Sequence, residues 1–165
     1  MIKILVIENT PKHLKDAKVF FSNMEGYEFT YTESLCEAIS LNGDEYEAIC
    51  DRWGEEATLF QRLSRYDGII TDINFPNYSN RTKGIGSGID APIGVAIILF
   101  ANLNNIPCVG ITDTYHHSNS MQWATTFLRM AFQRDTFLDT ERNDIEEGKK
   151  PWAAAFKELI KLFKR

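Results

Sequence analysis

Three runs of the chain leave little freedom in how it folds: Ile4-Leu5-Val6-Ile7, Gly68-Ile69-Ile70-Thr71 and Cys108-Val109-Gly110-Ile111-Thr112. Each is continuously apolar or nearly so, rich in branched side chains, and stopped by polar residues. A strand with no polar face has to be covered on both sides, which is the condition of strands in a parallel sheet. Segments of helical periodicity fall between the runs. Thr10-Pro11 reads as an N-cap and first helical residue, opening a helix with Leu14, Ala17, Val19, Phe20 and Phe21 on one broad apolar face. Gly26 ends it, and Glu28 to Thr32 alternates as a second strand. Ser34 caps a further helix, and residues 42–66 read as one or two amphipathic helices split near Gly54. Residues 77–91 are polar and glycine-rich, hence a loop. Pro92 opens a helix with Ile93, Ile97, Phe100 and Ala101 inward, and another runs through Trp123, Phe127, Leu128 and Met130. Residues 136–140 read as a last strand, and a final helix starts at Pro151, with Trp152, Phe156, Leu159, Ile160 and Phe163 at helical spacing. Strands alternating with helices predict an α/β fold with a parallel sheet.

Size and charge narrow the function classes. A chain of 165 residues, 44% of them hydrophobic, suits one globular domain, since domains commonly run to roughly 100–200 residues. No apolar run approaches the ~20 residues of a membrane span, and the opening MIKILVIEN reads as a strand rather than a signal peptide. The net charge of −5 argues against a nucleic-acid surface. Cys36, Cys50 and Cys108 lack metal-ligand spacing and read as reduced thiols of a cytoplasmic protein.

Three strands end in polar residues: Glu8-Asn9, Asp72 and Thr112-Asp113. In an open α/β sheet, sites form beyond the carboxyl ends of the strands. If these strands are neighbours, their carboxylates meet at one rim. A lone buried charge is costly, so Asp72 needs water, a metal or a cation beside it. Mg²⁺ suits such a rim, because it takes one or two carboxylates and keeps waters for the rest.

With ILVIEN at 4–9, DGIITDINFP at 67–76, Gly94, IPCVGIT at 106–112 and Lys150-Pro151 before the last helix, the chain resembles a receiver domain of two-component response regulators. The resemblance covers most of the chain, and its strongest element is Asp72, Asn74 and Pro76 after an apolar strand. It implies a single domain over residues 1–165. The implied fold is flavodoxin-like, a three-layer αβα sandwich around a five-stranded parallel sheet in the order 2-1-3-4-5, with insertions. It implies Asp72 as phosphoacceptor, Glu8, Asn9, Asp72 and the Asn74 backbone carbonyl as the Mg²⁺ site, and Thr112 and Lys150 as phosphoryl-binding groups. The implied partners are a histidine kinase or phosphotransfer protein and a downstream protein target, with a homodimer also open and neither nucleic acid nor membrane involved. No output segment is read after the last helix, so the implied activity is phosphoryl acceptance and partner binding rather than an enzyme's turnover.

The chain departs from the family pattern in several places, among them Glu8 for the commoner Asp and the 77–91 insertion beside the phosphoacceptor. Asn9 stands where a second acid is usual and brings no negative charge to a cation. Between Thr112 and Lys150 lie 37 residues, a longer interval than the family has, and NDIEEGKK before Pro151 is not a strand. Phe137 is the candidate for the family's aromatic switch. These departures open an alternative, a pseudo-receiver that uses the fold for protein contacts without phosphorylation. A phosphohydrolase is a third reading, weakened by Asn74 where such enzymes usually carry an acid. Glu8-Asn9 also reads as a helix cap, and Lys150 as a solvated loop charge. The GIGSG at 84–88 lacks the context of a phosphate loop, and His116-His117 lacks a third zinc ligand.

Overall fold

Strands form where the sequence offers no polar face, and their alternating side chains feed two separate cores. The computed structural model describes residues 1–33, 63–76, 90–91, 94–112, 126–128, 130–131, 137–139 and 149–164. Strand β1 (Ile2–Ile7) lies between β2 (Tyr27–Thr32) and β3 (Gly68–Asp72), parallel to both. Two further strands, β4 (Phe75–Pro76) and β5 (Asp90–Ala91), form a separate antiparallel pair. Strand β6 (Cys108–Thr112) pairs in parallel with β3, which gives a four-strand all-parallel sheet in the order β2-β1-β3-β6. The three-residue β7 (Phe137–Asp139) runs parallel beside β6, with Gly110 opposite Phe137.

One face of the sheet carries Leu5, Ile7, Ile69 and Cys108, packed with Val95, Ile97, Ile98 and Ala101 of α2 (Gly94–Leu103). The other carries Ile4, Val6, Ile70, Val109 and Ile111. They pack with Ala17 and Phe21 of α1 (Pro11–Phe21) and with Trp152, Ala155 and Leu159 of α3 (Trp152–Phe163). Helices on both faces account for the unbroken apolar strands. Burying each such side chain contributes about 1.5–3 kcal/mol. An aromatic group ties α1, β2 and α3 together: Phe21 stacks on Phe29 at 4.4 Å, and Phe156 meets Tyr27 edge-on at 5.1 Å. Among the described residues, no helix is long and apolar enough to cross a membrane.

Several local expectations need correction. The apolar stripe of α1 is Leu14, Ala17 and Phe21 with a buried His13, whereas Val19 is 67% exposed and Phe20 lies at the margin. At 3.6 residues per turn, Val19 points away from the Leu14–Phe21 stripe. Strand β2 begins at Tyr27 rather than Glu28, and the helix expected from Pro92 is described from Gly94. The loop expected over 77–91 is tied at its base by the β4–β5 pair, in which Pro76 lies opposite Asp90. Pro lacks only the N–H, and an edge position tolerates that loss. Of the helix expected through Trp123 to Met130, residues 126–128 and 130–131 are described and helical. The helix from Ser34, most of 42–66, GIGSG, His116, His117, Cys36 and Cys50 lie outside the described residues. Cys108 is a buried, reduced cysteine.

Candidate functional site

The register of the sheet sets three strand tips side by side. Ile7 lies opposite Thr71, and Asp72 lies opposite Ile111. Glu8, Asp72 and Thr112 therefore end adjacent strands at the same rim, and all three are buried. The chain bends just after Asp72, with the Ile73 amide still bonded to the Ile111 carbonyl at 3.1 Å. The Ile73 amide donates to Asp72 Oδ1 at 2.7 Å, and the Thr71 hydroxyl donates to the Asp72 carbonyl at 2.8 Å.

Gly94 explains how the turn is held. Its amide donates to the Ile73 carbonyl at 3.0 Å. A Cβ placed there would stand 2.1 Å from the Asp72 carbonyl oxygen and 2.7 Å from Ile73 Cα. Both obstacles are backbone, so only glycine lets the start of α2 approach this closely.

Lys150 completes the rim from 142 residues away. Its Nζ lies 2.5 Å from Glu8 Oε2 and 2.9 Å from Asp72 Oδ2, with all three side chains almost fully buried. The reading of Lys150 as a solvated loop charge is thus overturned: it reaches the rim from an irregular segment, not from a strand. Its carbonyl accepts the Trp152 amide at 2.9 Å, which joins it to the start of α3. Glu8 also serves locally, since its Oε1 accepts the Thr10 amide at 2.9 Å. This bond lies before the helix, which starts at Pro11, so the structure does not bear out the helix-cap reading of Glu8-Asn9. Thr10 itself occupies the N-cap position without a side-chain cap.

Asn9 and Asn74 make hydrogen bonds of their own at the rim. In the orientation that satisfies its neighbours, the Asn9 amide nitrogen donates to Asp72 Oδ2 at 2.9 Å and to the Asn74 carbonyl at 3.3 Å. Asn9 thus presents a donor to the oxygens beside which it was expected to act as a metal ligand, and the Asn74 carbonyl already accepts a hydrogen bond. The Asn74 side chain donates to Thr112 Oγ1 at 3.5 Å, a long contact that links β3 to β6. The sequence did hold a signal for this role, because an amide where an acid is usual brings a donor as well as an acceptor. Nothing is described of the Phe137 side chain.

Electrostatics at the rim set burial against pairing. Burial pushes the Asp72 carboxyl up, the Lys150 ammonium draws it down and the Glu8 charge pushes it up again, leaving it at about 7 against an ordinary 3.8. Burial draws the Lys150 ammonium down, but the nearby Asp72 and Glu8 charges and their hydrogen bonds outweigh it and hold its pKa above the ordinary value. The resting site is therefore an ammonium held between two carboxyl groups, one of them easily protonated. Among the described residues, no three His, Cys, Asp or Glu side chains group as a metal site. Glu8, Asp72 and the Asn74 carbonyl nonetheless offer hard oxygens of the kind Mg²⁺ takes with one or two carboxylates. The donor set fits that ion, and Lys150 and Asn9 already hold the same oxygens. No family model, curated protein or solved structure matches the chain.

Proposed function

We propose that the chain is a receiver domain: Asp72 accepts a phosphoryl group from a histidine kinase or phosphotransfer protein in the cytoplasm, and the phosphorylated form binds a downstream protein. In this reading β6 and β7 are the fourth and fifth strands of a flavodoxin-like sheet. The observation that carries the reading is the arrival of Lys150 at Asp72 and Glu8, at the rim where Thr112 also ends. A nucleophilic carboxylate needs cations around it to receive a phosphoryl group, and positioning with charge neutralisation supplies most of the rate.

The chain's own residues divide the work. The Ile73 amide orients Asp72 through Oδ1, and Oδ2, the oxygen beside Lys150, is assigned as the nucleophile. An oxygen–phosphorus bond forms there as the bond from phosphorus to the donor's leaving atom breaks, and the electron pair departs with that atom. Lys150 then balances the charge brought in, and the Thr112 hydroxyl serves as a donor to it. Mg²⁺, when bound by Glu8, Asp72 and the Asn74 carbonyl, would offset the charge between carboxylate and phosphoryl oxygens.

Intact-mass analysis after incubation with Mg²⁺ and a small acyl phosphate tests the proposal. The expected result is one added phosphoryl group in the wild type and none in Asp72→Ala. No adduct, or one that survives Asp72→Ala, refutes it. A second reading, the pseudo-receiver, is favoured by one observation: N–H donors of the chain already hold Glu8 Oε2, Asp72 Oδ2 and the Asn74 carbonyl. Partner binding independent of Mg²⁺ and unchanged by Asp72→Asn would establish that reading instead.

A further inference from the structure

We infer that the Asn9 carboxamide is a donor–acceptor rotor that stands in for a cation: nitrogen inward, it closes the rim without metal; turned over, its oxygen joins Glu8 and Asp72 as a ligand. The inference rests on the receiver reading's assignment of Glu8 and Asp72 as cation ligands, and it assigns to Asn9 a second state.

The contacts at the rim carry the argument. Asp72 Oδ2 receives two donors, Lys150 Nζ at 2.9 Å and the Asn9 nitrogen at 2.9 Å. The Asn74 carbonyl receives the same Asn9 nitrogen at 3.3 Å, and Glu8 Oε2 receives Lys150 at 2.5 Å. Each oxygen that a divalent cation would use is thus already satisfied by the chain. The carboxamide joins β1 to the turn after β3, two segments that a bound cation would otherwise bridge. Its nitrogen and oxygen are nearly equal in size, and half a turn about the terminal side-chain bond exchanges donor for acceptor with no backbone movement. A carboxylate at position 9 could not close the rim this way. It would set a third negative charge against one ammonium and point an acceptor at two acceptors.

The experiment uses the full chain as wild type, Asn9→Asp and Asn9→Leu, with melting temperatures in EDTA and in millimolar Mg²⁺ and calorimetric Mg²⁺ titration. The wild type is expected to melt at nearly the same temperature in both buffers. Asn9→Asp is expected to melt lower in EDTA, to recover in Mg²⁺, and to bind Mg²⁺ about tenfold or more tightly than the wild type, a carboxylate having replaced a neutral ligand. Asn9→Leu is expected to melt lower in both buffers without tighter binding. A wild type stabilised by Mg²⁺ as much as Asn9→Asp, or an Asn9→Asp that matches the wild type in EDTA, overturns the rotor.

A measurement on the wild type alone covers the case in which Asn9→Asp fails to fold. The Asn9 side-chain NH₂ should exchange slowly with solvent in EDTA, as a hydrogen-bonded donor does, and fast exchange overturns the inference. Phosphoryl labelling of the wild type is scored separately. A labelled Asp72 with a failed rotor test rejects the rotor alone. A confirmed rotor with an unlabelled Asp72 rejects the phosphoacceptor assignment alone.

Discussion

Replacing Lys150 by Met removes the one ammonium between two buried carboxyl groups and keeps an apolar stem of similar length. The Lys150–Asp72 contact is 2.9 Å. At that separation and an effective dielectric near 20, the gross attraction of two unit charges is about 6 kcal/mol. Returning the ammonium to water offsets part of this, and breaking a buried pair by deleting one partner costs about 3–5 kcal/mol. The loss should depend on pH. Lys150 holds the Asp72 carboxyl down, so without it that carboxyl rises beyond about 7. At pH 8.5 the variant must bury two like charges or take up a proton against the solution, and the full 3–5 kcal/mol applies. At pH 6 Asp72 is already mostly protonated and only Glu8 is left without its ammonium, so the loss shrinks by about 2 kcal/mol. Urea denaturation at both pH values, with fitted midpoints and slopes, measures this directly. For a chain of this size, the loss at pH 8.5 corresponds to a melting point lower by about 6–20 °C. A loss below about 1 kcal/mol at pH 8.5, or an equal loss at both values, refutes the account of a lysine-neutralised pair.

Two further outcomes follow from the same geometry. Gly94→Ala drives a Cβ into the Asp72 carbonyl and Ile73 Cα; it should cost about 2–4 kcal/mol in denaturant unfolding and slow phosphoryl labelling, and a neutral effect would mean that the turn yields freely. Asp72→Asn removes a group whose folded pKa, about 7, is raised above its unfolded 3.8. Such a group contributes stability that is fully present below pH 3.8 and lost as pH rises through about 7. The stability difference should therefore move in the variant's favour by about 4 kcal/mol between pH 4 and pH 8, and a flat difference in paired urea titrations would contradict the raised carboxyl.

The sheet was legible because its strands carry their burial in their composition. Ile4 to Ile7 and Gly68 to Asp72 are buried along their length, and branched apolar runs stopped by Glu8 and Asp72 announce both position and tip. Order came less directly, since which strands are neighbours depends on how intervening helices cross over, and the run of residues does not carry that. On α1, Val19 and Phe20 misled because a helix's buried stripe is narrower than its count of apolar residues suggests. Lys150 was expected at the rim from the Lys150-Pro151 match, and not from the residues around it. Nothing in NDIEEGKK signals burial, and the lysine is drawn in by charges 142 and 78 positions away. Local sequence cannot show a group whose partners are remote. Asn9 was read for its oxygen alone, although the arrangement around it uses the nitrogen. The β4–β5 pair escaped because two residues give no periodicity to detect.

The distance along the chain between Glu8 and Lys150 bears on how the protein is made. A ribosome releases β1 and β3 long before residue 150 leaves the exit tunnel. During that interval the tips of the first and third strands carry acidic groups with no ammonium between them, and docking them in the dark of a half-formed core is unfavourable at neutral pH. The consequence to expect is that early pairing of these strands during synthesis is disfavoured until Lys150 has arrived.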